Sequence, residues 1–183
     1  MARPTKEELA AAAGVTIRDV IAPGLDVLFC GINPGLYSGA TGNHFARPGN
    51  RFWPALHLSG FTPRQLHPSE KEELLSLGLG ITNVVARTTA RADELTDEEI
   101  VAGGRALRRK VKRYGPRYLA VLGLGAYRTA FGTKTATVGP QPETIGDTKI
   151  WLLPNPSGLN AHYQLPALAE EFARLRKAAS VDS

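Results

Sequence analysis

Four short apolar runs constrain this chain more than any other feature: LDVLFCG at 25–31, LGITNVV at 79–85, YLAVLGLG at 118–125 and KIWLLPN at 149–155. Each is continuous rather than alternating, which predicts a strand buried on both faces, and such strands belong to parallel sheets covered by helices on either side. The stretches between them carry helix-start signals. Thr5 with Glu8, Ser69 with Glu72 and Thr96 with Glu99 stand in capping-box spacing, and 165–179 repeats Leu165, Leu168, Phe172 and Leu175 at helical intervals. The turn-rich segment 132–149 reads as a loop or hairpin leading into the fourth strand. The expected fold is α/β: a three-layer sandwich with a short central, mostly parallel sheet flanked by helices. At 183 residues and 43% hydrophobic content, one globular domain over 1–183 is expected.

Charge and cysteine usage narrow the function classes. Lys and Arg number 22 against 17 acids, a net charge of +5, which favours a polyanionic partner. A single cysteine, Cys30, excludes a disulfide framework, a four-cysteine zinc site and a cysteine-ligated iron–sulfur cluster. Inside an apolar run it is expected to pack as a small buried hydrophobe. The opening MARPTKEELA has no apolar leader, and no run reaches the ~18 apolar residues needed to span a bilayer. A cytoplasmic chain with no membrane partner is expected.

In an open α/β sheet, ligands bind outside the carboxyl ends of the strands. Four loops leave the predicted strands there: GINPGLYSGATGNHF, TTARADEL, GLGAYRTAFG and PNPSGLNAHY. The first and last are built alike, Asn-Pro followed by Gly. They are expected to form sharp turns, with Pro locking one dihedral, Gly accepting positive φ, and N–H groups left to point outward. Residue type alone leaves Asn33 as a turn-forming side chain ahead of Pro34 and Phe45 as a core aromatic.

GINPGL after a buried strand, then GNHFARPGNRFW, then LPNPSGL near the C-terminus together resemble the mismatch-specific uracil-DNA glycosylases, bacterial relatives of thymine-DNA glycosylase. The resemblance runs from about residue 25 to the last helix and includes SGFTPRQL and AGGRAL. It implies a uracil-DNA-glycosylase-like sandwich whose partner is double-stranded DNA containing uracil or a mismatched pyrimidine. The base is flipped out and its N-glycosidic bond hydrolysed, leaving an abasic site, with no metal and no cofactor. No lysine stands in the motifs to act as a Schiff-base nucleophile, so the enzyme is expected to be monofunctional.

The same resemblance assigns roles. Asn33 matches the family's catalytic asparagine, able to orient water but not to take its proton. Gly31, Ile32, Pro34 and Gly35 form the turn whose N–H groups serve the uracil oxygens. Phe45 holds the flipped ring in a pocket shared with Tyr37, Ser38 and Asn83. Asn155, Pro156, Ser157, Gly158, Leu159, Asn160 and Ala161 match the intercalation loop. There Leu159 is the wedge, Gly158 permits close approach to the opposite base, and Asn155 and Ser157 reach phosphates. The chain departs from the family at three places: Ala161 stands where several members have arginine, Asn83 where some have lysine, and Asn33 where the highly active uracil glycosylases have aspartate.

Three expectations come from the residues alone. Asp93, flanked by Arg91 in the loop after the second strand, is the acid best placed to activate water or stabilise a cationic sugar. Arg47 and Arg51 flank the pocket loop and are candidates for phosphate contact. His44 has no Cys, Asp or second His at ligand spacing. The alternatives are a non-catalytic lesion-binding module and a hydrolase of free nucleosides or nucleotides, although GINPGLYSG fits neither the phosphate loop nor the dinucleotide fingerprint. A monomer without an obligate protein partner is expected.

Overall fold

Side chains alternate across a strand, and in this sheet both sets are apolar. In the computed structural model, which describes residues 3–181, β1 (Val27–Gly31) sends Val27 and Phe29 to one face and Leu28 and Cys30 to the other. The same division runs through β3 (Tyr118–Leu122) and β5 (Thr148–Leu153), while β2 (Leu79–Asn83) sends Leu79 and Ile81 to the first face and Gly80 and the buried, hydrogen-bonded Thr82 to the second. On the first face Phe29, Ile81, Ala120 and Trp151 pack against α3 (Phe52–Leu58) and α7 (Leu165–Val181) through Phe52, Leu56, Leu168, Phe172 and Leu175. On the second, Leu28, Leu119, Val121 and Leu152 pack against α5 (Asp97–Tyr114) and α6 (Leu124–Phe131) through Leu107, Val111, Tyr127 and Phe131. The result is the expected three-layer sandwich. Cys30 lies fully buried in the second layer interface, and that burial pushes its thiol pKa far up.

The sheet order is β2-β1-β3-β5-β4, parallel through β5, with β4 (Gly139–Ile145) as an antiparallel edge. β4 forms a hairpin with β5, so segment 132–149 contains a strand. It tolerates Pro140 and Pro142 because an edge strand has one side free of ladder partners. Smaller elements complete the chain: α1 (Lys6–Ala11), α2 (Leu36–Thr41) and α4 (Glu73–Ser76).

Two sequence expectations are corrected. The Ser69–Glu72 capping box does not form; the His67 ring and Glu70 cap a 3-10 turn at Pro68–Glu70, and α4 starts only at Glu73. Pro68 pre-sets the dihedral of a first helical position, which moves the start two residues upstream. The strands are also shorter than the apolar runs. β2, β3 and β5 end at Asn83, Leu122 and Leu153, and the remainder of those three runs leaves the sheet at one edge, whereas in the first run Leu25 and Asp26 precede β1 and the strand ends with the run at Gly31. The Thr5–Glu8 and Thr96–Glu99 boxes form as read.

Aromatic packing ties the layers together. Phe29 meets Phe52 edge-on at 5.4 Å, Phe61 at 5.5 Å, and stacks on Phe172 at 5.8 Å. Phe172 is fully buried, so Phe172→Ala removes both transfer free energy and packing, and should cost about 3–5 kcal/mol. Equilibrium urea unfolding checks this; a loss below about 1 kcal/mol would show that the layer collapses around the cavity.

Candidate active site

Because four parallel strands end at one edge, the residues just past them meet. Gly31, Asn83, Leu122 and Asn155 border a cavity of about 690 Å³, joined by Asn33, Phe45, Arg47, Asp93 and Leu159. The first two loops and the last therefore converge as the sequence predicts.

Asn33 stands at the turn out of β1, and its amide orientation follows from its neighbours. Nδ2 donates to Arg87 O at 2.9 Å, to Thr89 Oγ1 at 2.9 Å and to Pro34 O at 3.2 Å. Thr89 Oγ1 gives its own hydrogen to Arg91 O at 2.7 Å, so towards Asn33 it can only accept. Three acceptors thus fix which end of the amide carries nitrogen. Oδ1 has no protein donor among the described residues, on a side chain that lines the cavity. The backbone N–H groups of Asn33 and Gly35 likewise have no protein acceptor among the described residues.

The pocket floor is aromatic and strained. Phe45 has φ +51°, the one non-glycine residue in the left-handed region among those described, and its ring stacks on Phe52 at 4.2 Å. A β-carbon at Gly31 would lie 2.7 Å from Asn83 Oδ1 and 3.2 Å from the Phe45 ring, so only glycine fits beneath them. His44, buried beside Phe45, pairs Nε2 with the Arg18 carbonyl at 2.8 Å, which makes Nε2 the protonated nitrogen. Nδ1 then accepts from Asn83 Nδ2 at 3.5 Å, turning Asn83 Oδ1 towards Gly31 and Phe45. Burial lowers the His44 pKa, keeping the ring neutral. Ser38, buried in α2, accepts the Ala46 N–H at 3.2 Å and so anchors the Phe45 loop.

Loop 155–163 is ordered by its own side chains. Asn155 Oδ1 accepts from Ser157 N at 2.9 Å, Ser157 Oγ from Leu159 N at 3.1 Å, and Asn160 Oδ1 from His162 N at 3.0 Å. These bonds engage Asn155 and Ser157 in shaping the loop. Leu159 stands at the tip, 77% exposed, with Ala161 also exposed. Neither Gly35 nor Gly158 has positive φ, which corrects that part of the turn reading. Gly158 is required for another reason: a β-carbon there would lie 2.7 Å from Gly49 O.

A comparison with family models matches residues 18–179 to the uracil DNA glycosylase superfamily. The chain belongs to that superfamily. Membership carries DNA glycosylase activity on uracil in general: hydrolysis of an N-glycosyl bond in a DNA substrate, the opening step of base excision repair. Among the described residues no helix is long and apolar enough to cross a membrane.

Within this glycosylase, Asp93 stands at the strand end the sequence suggests, and Arg51 points elsewhere than expected. Asp93 lies at the cavity mouth on a 3-10 turn, 73% exposed and 3.0 Å from Arg91 Nε, a solvated ion pair rather than a desolvated base. Arg51 points into the protein and donates to carbonyls of loop 155–163, while Arg47 remains exposed on the cavity rim. Sequence reasoning missed Thr89 altogether; its only signal is a place in the loop leaving the second strand.

The acceptor set around Nδ2 predicts how Asn33→Asp behaves. A carboxylate there faces two carbonyl oxygens and a hydroxyl already committed as a donor elsewhere, so the fold should lose about 1–3 kcal/mol at neutral pH. Its folded pKa is raised, so the penalty is full above that pKa and shrinks as pH falls through it, when the carboxyl gains a proton to donate. Melting temperatures of both proteins between pH 5 and 8 test this. A gap independent of pH would contradict it.

Proposed function

We propose that this enzyme is a monofunctional, mismatch-specific uracil-DNA glycosylase in which Asn33 orients the attacking water. One observation carries the reading: three acceptors hold Nδ2, leaving Oδ1 as a fixed acceptor at the cavity. The subfamily assignment rests on the motif order GINPGL, GNHFARPGNRFW and LPNPSGL.

Uracil is flipped into the cavity, where Phe45 covers its face. Asn83 Oδ1 accepts the base N3–H, and the Asn33 and Gly35 N–H groups face its oxygens. As the C1′–N1 bond lengthens, negative charge grows on the uracil and positive charge on the sugar. Those N–H groups stabilise the departing anion, and neutral His44, bonded to the Arg18 carbonyl and to Asn83 Nδ2, keeps Asn83 Oδ1 turned towards the base. Water held by Asn33 Oδ1 forms the new O–C1′ bond and releases its proton to solvent. An amide oxygen cannot take that proton at neutral pH, so the chemistry is slow but needs no desolvated carboxylate. Leu159 enters the base stack, offsetting the unstacking cost, while Arg47 contacts phosphate.

Single-turnover excision from duplexes with uracil opposite guanine and opposite adenine tests the reading. Wild type should release uracil, favouring the guanine mismatch. Asn33→Ala should lose about 10²-fold or more, and Asp93→Ala should stay within about threefold. No release by wild type from either duplex contradicts the proposal, as does a loss confined to Asp93→Ala.

A further inference from the structure

Arg51 is the most heavily engaged cation among the described residues, and every partner of its guanidinium lies between residues 157 and 164. Nη1 donates to Asn160 O and Tyr163 O at 2.9 Å each and to Ser157 O at 3.3 Å. Nη2 donates to Gly158 O at 3.1 Å and to Gln164 Oε1 at 3.3 Å. The Arg51 backbone N–H adds a bond to Pro156 O at 2.8 Å. Carbonyls on both sides of Leu159 therefore converge on one guanidinium, which alone among side chains offers five N–H donors in a planar fork. Without a cation these oxygens would face one another unpaired.

We infer that Arg51 is a positioning residue that holds the loop carrying Leu159 in its inserting shape before DNA arrives. This rests on the proposed glycosylase reading for its functional consequence. Two observations join the same clamp to the base pocket. The backbone of Gly49 abuts Gly158 with no room for a side chain, and Phe52, next to Arg51, lies under the Phe45 ring at 4.2 Å. Asn50 Oδ1 caps the Phe52 N–H at 2.9 Å, fixing this short segment at the start of α3. Segment 49–52 thus carries the pocket floor on one side and the wedge on the other. A loop ordered in advance loses no conformational freedom on binding, so its affinity for duplex is not discounted. The internal Asx-type turns of the loop shape its tip, but the anchorage to the body of the protein runs through Arg51.

The test uses full-length protein with Arg51→Met and Arg51→Lys. Both should lower single-turnover excision from duplex by roughly 10- to 100-fold, because a single ammonium cannot reach both sets of carbonyls. Excision from single-stranded DNA, where the base is already unstacked and no wedge is needed, should be unchanged. Amide hydrogen exchange across residues 157–163 of the free protein should accelerate in both variants. Full duplex excision by Arg51→Lys would overturn the inference in favour of a phosphate contact. Equal losses on both substrates, or unchanged exchange in the loop, would also overturn it. If wild type releases uracil from neither substrate, the glycosylase reading fails, while exchange in the free protein still decides the clamp.

Discussion

One side-chain amide, that of Asn33, is held at the cavity by three acceptors, and much of the surrounding structure keeps those acceptors still. Arg87 supplies a carbonyl, and its guanidinium is tied to Glu99 at 2.6 and 2.9 Å. That pairing keeps the Glu99 carboxyl ionised, with its pKa down at about 2. Glu99 is also the closing residue of the α5 capping box, so a helix start doubles as the anchor for the loop that orients Asn33. Thr89 is fixed by its bond to Arg91 O. The N-terminal segment adds a further brace: Gly14 N donates to Thr88 O at 2.8 Å and Thr88 N to Val15 O at 3.0 Å. Those two braces lie ahead of the residues matched to the superfamily.

Asparagine in this position is a consequence of its surroundings. Two carbonyl oxygens and a committed hydroxyl form a site for a donor, and a carboxylate would meet only repulsion there. The chain gains a rigid, neutral acceptor and gives up a base. Strain gathers at the same place: Phe45 sits at positive φ, held by Phe52 beneath it, the Ser38 anchor and the indole of Trp53, which donates to His44 O at 3.1 Å. On the proposed reading, a pocket held this way is pre-organised for the base, and pre-organised groups are where enzymes obtain most of their electrostatic stabilisation.

The layers of the sandwich were legible because burying both faces of a strand leaves a continuous apolar run, as in 25–31 and 118–125. Capping boxes at Thr5 and Thr96 were legible because both partners lie within one turn. Motif membership singled out Asn33, Phe45 and Leu159, which residue type alone reads as a turn former, a core ring and an exposed leucine, and all three do line one cavity. Partnerships across long sequence separations were not legible. Arg51 meets Asn160 from 109 positions away, and nothing local distinguishes it from the neighbouring Arg47, which faces the solvent. Thr89 is an ordinary loop threonine until its acceptor role is seen. Gly158 looked like a residue needing unusual φ, whereas the carbonyl of Gly49 explains it. Asp93 was legible as the acid at the right strand end, and its exposed pairing with Arg91 was not.

The most direct measurement is single-turnover excision by Thr89→Val, a replacement that keeps shape and burial and removes one acceptor from the Asn33 amide. If a pre-set amide positions the water, the rate should fall by about tenfold or more while binding to a duplex with an uncleavable uracil analogue stays at the wild-type level. A wild-type rate in Thr89→Val would contradict the account, because it would mean that Asn33 needs no fixed orientation to do its work.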